Sequence, residues 1–118
     1  MKSPYFKRYE FACRCGCGFD AVDVDLLRIL DDVRVNFGAP VAINSACRCE
    51  SHNAEIGGKK GSMHVKAKAA DIVVKNIAPD DVHAYLCDKY PHTFGIGQYD
   101  TFTHVDVRDA KARWDLRR

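Results

Sequence analysis

Ser62-Met63-His64-Val65-Lys66-Ala67-Lys68-Ala69-Ala70-Asp71, continued by Ile72-Val73-Val74, runs out of a polar loop into an apolar segment and sets an acid inside it. Residues 69–74 read as a buried strand, since small and β-branched residues follow one another with Asp71 as the sole polar interruption. An ionised carboxylate in such a place is expensive unless the fold brings it a counter-charge or a metal ion. His64 stands seven positions earlier, at the end of the loop, and a second imidazole is available in Phe102-Thr103-His104-Val105-Asp106, again between apolar residues. Two imidazoles and one carboxylate are a zinc set with a fourth position left open, and an open position belongs to a catalytic ion rather than a structural one. His64, Asp71 and His104 are therefore candidate ligands of one zinc ion, the alternatives taken one residue at a time being a satisfied core histidine and a bulge or edge aspartate.

Outward from this stretch, Leu26, Leu30, Val33 and Phe37 recur at helical spacing over residues 23–37, and Gly38 with Pro40 supplies the stop. Val41-Ala42-Ile43 begins a short strand. Residues 47–62 are rich in Gly, Asn, Ser and Lys, a long irregular segment of the kind a compact domain keeps for function. Pro79, Asp80 and Asp81 open a second helix with Val82, Tyr85 and Leu86 on one side, ended by Pro91. Residues 94–99 and 102–107 read as two strands joined near Asp100-Thr101. The tail, residues 108–118, is basic and mostly polar, with Trp114 as its one anchor. The pattern predicts an α+β domain, a small antiparallel sheet with two helices against it. His83 and His92 fall on polar stretches and are expected in solvent, while His52 is expected to fasten the long loop.

The chain has 118 residues, 47 % of them hydrophobic, enough for one modest core, so residues 1–118 form a single domain. A formal charge of +2 gives no single-sign field toward nucleic acid. No apolar run is long enough to cross a membrane, and the start lacks the apolar region of a secretory signal, so the expectation is a cytosolic protein. Six cysteines fall at Cys13, Cys15, Cys17, Cys47, Cys49 and Cys87. Their alternation departs from the two to four intervening residues usual in zinc knuckles, so reduced, buried thiols are the default and a second metal held by Cys13, Cys15 and Cys17 is the alternative.

The stretch from Ser62 to Asp71 resembles the zinc-binding signature of the D-alanyl-D-alanine carboxypeptidase family, which also includes phage endolysins, dipeptidases and the hedgehog fold. Ser45-Ala46-Cys47-Arg48-Cys49, His52-Asn53 and Ile56-Gly57-Gly58 resemble its substrate-side loop, and residues 102–106 its third-ligand strand. The opening Phe11-Ala12-Cys13-Arg14-Cys15-Gly16-Cys17-Gly18 is similar to the start of small phage-type members. The resemblance implies a hedgehog-like peptidase fold, zinc at His64, Asp71 and His104, and a substrate carboxylate held by Arg48, whose fixed fork suits that group. Ser62 is similar to a family serine that hydrogen-bonds substrate or caps the turn.

Two departures stand out. Relatives carry a Glu three residues before the third ligand or a His two before it, where this chain has Thr101 and Phe102, neither able to take a proton at neutral pH. Asp106, two residues along the strand from His104 and so on the same face, is the first choice of base, with orientation of a ligand imidazole as its other role; Asp100 is the second choice. Ala67 stands where relatives often have Gly, which puts a left-handed backbone conformation there in doubt. The function implied is a monomeric zinc peptidase acting on peptidoglycan stem peptides, an endolysin or carboxypeptidase held in the cytosol until it is released to the wall. A non-catalytic peptide-binding module of the same fold and a cysteine-based metal protein are the rivals.

Overall fold

In the computed structural model, which describes residues 2–118, Asp23 and Gly38 bracket the first helix, α1 (Val24–Phe37). The Asp23 carboxylate accepts the N–H groups of Asp25 and Leu26, and Gly38 takes the left-handed conformation (φ 60°) while its N–H donates to the Arg34 carbonyl. Leu26, Leu27, Ile29, Leu30 and Val33 make the buried stripe of α1. A short helix not foreseen in the sequence, α2 (Glu50–Glu55), follows β1 (Val41–Ser45), and α3 (Pro79–Lys89) buries Val82 and Leu86. A single turn of 3-10 helix, Arg8–Phe11, places Phe11 in the core.

The remaining strands are β2 (Ala69–Val74), β3 (Gly95–Gln98), β4 (Thr103–Asp106) and β5 (Ala112–Asp115), and the sheet order is β1-β2-β4-β3-β5. Four strands pair antiparallel, as expected, but β5 runs parallel to β3, so the sheet is mixed. The basic, mostly polar tail, for which the sequence offered no strand, thus contributes an edge strand. Its anchor is Arg113, whose guanidinium donates to the carbonyls of Tyr90, Thr93, Phe94 and Ala112. The contacts with Tyr90, Thr93 and Phe94 join positions about twenty residues apart and leave no periodic signature in a four-residue strand.

Alternation along the strands divides the sheet's two faces. Ala70, Ile72, Val74, Ile96 and Val105 join the residues of α1 and α3 in one apolar cluster. Asp71, His104 and Asp106 point the other way, toward the irregular segments. The register aligns Asp71 with His104, His104 with Gly97, and Gly97 with Trp114, a single row across four strands. Glycine is required at two points of that face: a Cβ at Gly97 would fall on the Trp114 indole, and one at Gly95 on the Asp106 carboxylate and the Arg108 guanidinium. Among the described residues no helix is long and apolar enough to cross a membrane.

Candidate metal centre

Asp71 and His104 come to the site from paired positions of β2 and β4, and His64 comes from the loop that lies over them. The loop approaches β2 through consecutive turns, in which Val65, Lys66 and Ala67 donate their N–H groups to the carbonyls of Ser62, Met63 and His64. Ala67 then takes the left-handed conformation (φ 59°), the one the sequence put in doubt. Such a backbone costs a residue with a Cβ about 1–2 kcal/mol. The Arg48 N–H donates to the His64 carbonyl, so this loop and the segment after β1 are tied together.

Each imidazole has one nitrogen held by the protein and the other turned toward Asp71. His64 Nδ1–H donates to the Ala46 carbonyl at 2.6 Å, which fixes the tautomer and leaves Nε2 3.4 Å from Asp71 Oδ2. His104 Nε2–H donates to Asp106 Oδ2 at 2.7 Å, and its Nδ1 lies 2.9 Å from Asp71 Oδ1. All three side chains are buried, and one ligand atom of each lies within 4.8 Å of the others. The donor set fits a zinc ion: two nitrogens and a carboxylate oxygen converge, and each imidazole is oriented from behind by a partner of the kind that raises a ligand's basicity.

The charges are held in ionised form. Burial opposes charge on Asp71, but hydrogen bonds from His104 and His64 outweigh it and hold the carboxyl well below the usual range. Burial likewise opposes charge on His104, and the bonds to Asp106 and Asp71 override it and raise its pKa. Asp106 also lies below the usual carboxylate range, with burial overcome by His104 and Arg108.

Both oxygens of Asp106 are engaged. Arg108 Nε donates to Oδ1 and Nη2 to Oδ2, each at 2.7 Å, while His104 takes Oδ2 and the Arg108 N–H takes Oδ1. With 0 % exposure the carboxylate does not reach the cleft. The base assigned to it from sequence alone has no access to a substrate here, whereas the orienting role fits. Asp100 lies elsewhere: it is exposed, accepts the Arg118 N–H, and borders a depression with Asp80, Asp115 and Arg117. Thr101 is exposed and Phe102 stacks on Tyr99 at 4.3 Å.

A cleft of about 920 Å³ opens over the donors. Arg48, Lys59, Lys60 and Arg108 supply its basic groups, and Tyr99, Phe102 and Trp114 its aromatic side. Arg48 Nη2 stands 3.5 Å from Asp71 Oδ2, while Nε donates to Ser45 Oγ and Nη1 to Asn53 Oδ1. Ser62 lines the cleft with its Oγ accepting the His64 N–H at 3.2 Å, the turn-capping arrangement. Asn53, not His52, fastens the long loop: its amide donates to the Lys59 carbonyl, its own carbonyl accepts the Gly58 N–H, and its side chain fills the space a Cβ at Gly58 would need. His83 is half-buried beside Cys87 rather than solvated, and burial, reinforced by Arg113, lowers its pKa. His92 is exposed, as expected.

Arg108 and the placement of Trp114 were not foreseen. The indole lies 5.0 Å from the His104 ring, the Arg108 guanidinium sits 5.3 Å over it, and its Nε1–H donates to the Tyr99 hydroxyl. For Arg108 a signal existed, since a buried acid followed two positions later by an arginine at a strand's end invites a local fork.

A histidine-aspartate-histidine set on the open face of an α+β sheet, at the floor of a basic cleft, is a donor arrangement of the kind zinc metallopeptidases carry. The chain belongs to the peptidase M15 family, which matches residues 4–106 and so takes in all three donors. Peptidases of this family are zinc-dependent, and the chain carries the donor set of a zinc metallopeptidase. No curated protein matches it.

Proposed function

We propose that the protein hydrolyses peptidoglycan stem peptides, as an endolysin-like D-alanyl-D-alanine carboxypeptidase or L-alanyl-D-glutamate endopeptidase. The observation that carries this reading is the pairing of the donor triad with Arg48 across one cleft. Stem peptides present free carboxylates beside the bonds concerned, and Arg48 stands next to the metal donors with Nη2 its least engaged nitrogen. Lys59 and Lys60 extend the positive rim, and the Tyr99, Phe102 and Trp114 side offers apolar surface to alanyl methyl groups. His64, Asp71 and His104 would hold zinc, whose chemistry is to polarise a carbonyl and to bring the pKa of a coordinated water toward neutrality.

The protein's own groups then divide the remaining work. Asp106 keeps His104 in one tautomer, with Arg108 keeping Asp106 charged and in place. Ala46 does the same for His64 through its carbonyl. Arg48 positions the substrate's carboxylate, and Ser62 holds the turn that presents His64. Among the described residues lining the cleft, Asp71 is the sole carboxylate. That favours a second reading, a binding module that holds a stem peptide without cutting it.

Incubating zinc-loaded protein with stem peptides ending in D-alanyl-D-alanine and mapping new termini by mass spectrometry separates the two. Cleavage in the wild type that is abolished in His64→Ala is expected and names the bond. Intact peptides together with stoichiometric bound zinc would replace the peptidase by the binding module.

A further inference from the structure

Away from the cleft floor, four cysteines converge. Cys13 Sγ lies 3.4 Å from Cys15 Sγ and 3.9 Å from Cys49 Sγ, and Cys15 Sγ lies 3.7 Å from Cys49 Sγ. With Cys17, all four sulfurs fall within 4.8 Å of one another. A tetrahedral zinc with Zn–S bonds of about 2.3 Å sets its sulfurs roughly 3.8 Å apart. A disulfide requires about 2.05 Å and unites two sulfurs only. The spacing here is that of a coordination shell.

The backbone is built to deliver these ligands. Residues in alternate positions of an extended chain share a face but spread along it by about 7 Å. In residues 13–19 the chain instead folds on itself: Gly16 and Gly18 take φ of 83° and 92°, Gly16 N–H donates to the Cys13 carbonyl, and Cys13 N–H to that of Phe19. The fourth ligand comes from the far side, where Cys49 caps α2 by accepting the His52 N–H and donates its own N–H to Cys13 Sγ. Arg14, Cys15, Gly16, Cys17 and Gly18 are all exposed, so no buried apolar side chain holds the tip of this loop. A loop without a core of its own is where small folds add a metal.

The other two cysteines are set apart. Cys47 is buried with its thiol donating to the carbonyls of Phe11 and Phe19, and Cys87 sits on α3 beside His83. The sequence left a metal at Cys13, Cys15 and Cys17 as an alternative without a fourth ligand. The geometry points to a second, closed site, a structural zinc held by the thiolates of Cys13, Cys15, Cys17 and Cys49, each thiol releasing its proton to solvent on binding. Four protein ligands leave no position for water, so this ion takes no part in hydrolysis. It clamps the amino-terminal loop to the residue following Arg48 and thereby holds that arginine's segment against the cleft. The inference stands whether or not the protein is a peptidase.

The test uses the full chain prepared with zinc under reducing conditions, measured for metal content and by zinc X-ray absorption. Expected are two zinc ions in the wild type, and one in His64→Ala with an all-sulfur shell at about 2.3 Å. The double variant Cys15→Ser/Cys17→Ser, altered at exposed positions, is expected to keep its circular dichroism and one zinc with nitrogen and oxygen ligands. Zinc lost altogether from a folded His64→Ala would overturn the site. So would a thiol count below six in a second preparation, purified with zinc but without reductant and then denatured, which would mean disulfides in place of the metal.

Discussion

Asp106 has four donors on two oxygens and no exposure, and that decides how its loss should read. An aspartate acting as a base carries protons for the reaction, and added metal cannot replace it. One that orients a ligand acts through metal affinity, and outer partners of this kind are worth about 10–100-fold in that affinity. Asp106→Asn is therefore expected to weaken zinc binding by about that factor and to recover much of its activity at saturating zinc, measured by competition with a chromophoric chelator alongside turnover. Activity that stays lost with zinc fully bound would return Asp106 to the role of base. Ala67 shows how one residue can resist sequence reading. A side chain that disfavours a left-handed backbone argued against that conformation, yet the need to turn from His64 into β2 imposed it.

At the scale of elements, β3 is shaped by what faces it. Gly95 and Gly97 leave room for the Asp106–Arg108 pair and for Trp114, and the flat contact makes β5 a wall of the cleft. Gly97→Ala is expected to push the indole outward and to destabilise the fold by about 1–3 kcal/mol, as overpacking does. Trp114 is the only tryptophan, so a red-shifted emission with a lower denaturation midpoint checks both parts. Unchanged emission would mean that β5 accommodates the methyl group without moving. Elements with strong periodicity, α1 above all, were legible in the sequence to within a residue. α2 and β5 were not, because each is short and held by particular side chains, Asn53 and Arg113, whose partners lie on other segments. The three donors were legible because residues 62–71 resemble the family's zinc signature and residues 102–106 its third-ligand strand, and a buried acid such as Asp71 demands a partner. Their orienters were not, since Ala46 acts through its backbone.

Across the whole molecule, the titrating groups set opposing demands on pH. Asp71 and Asp106 are depressed in the folded state, so their contribution to stability is present above the unfolded value of about 3.9 and lost as pH falls through the folded one. His104 is raised, so its contribution is complete below about 6.5 and lost as pH rises through its folded value. The zinc-free protein is thus expected to be most stable between those limits and to weaken toward alkaline pH. Zinc needs a neutral His104, so the stability it adds grows in the same direction. Thermal melts with and without zinc from pH 5 to 9 check this; a zinc increment that shrinks as pH rises would contradict it.

The sheet also separates two kinds of inheritance. Everything apolar that the helices need lies on one face, and everything the cleft needs lies on the other. Changes in the exposed rim, such as Lys59 and Lys60, leave the row from Asp71 to Trp114 and the helix layer without anything to compensate. A lineage can therefore try new specificities at its loops at little risk to its fold, and a library confined to that rim would sample the same freedom.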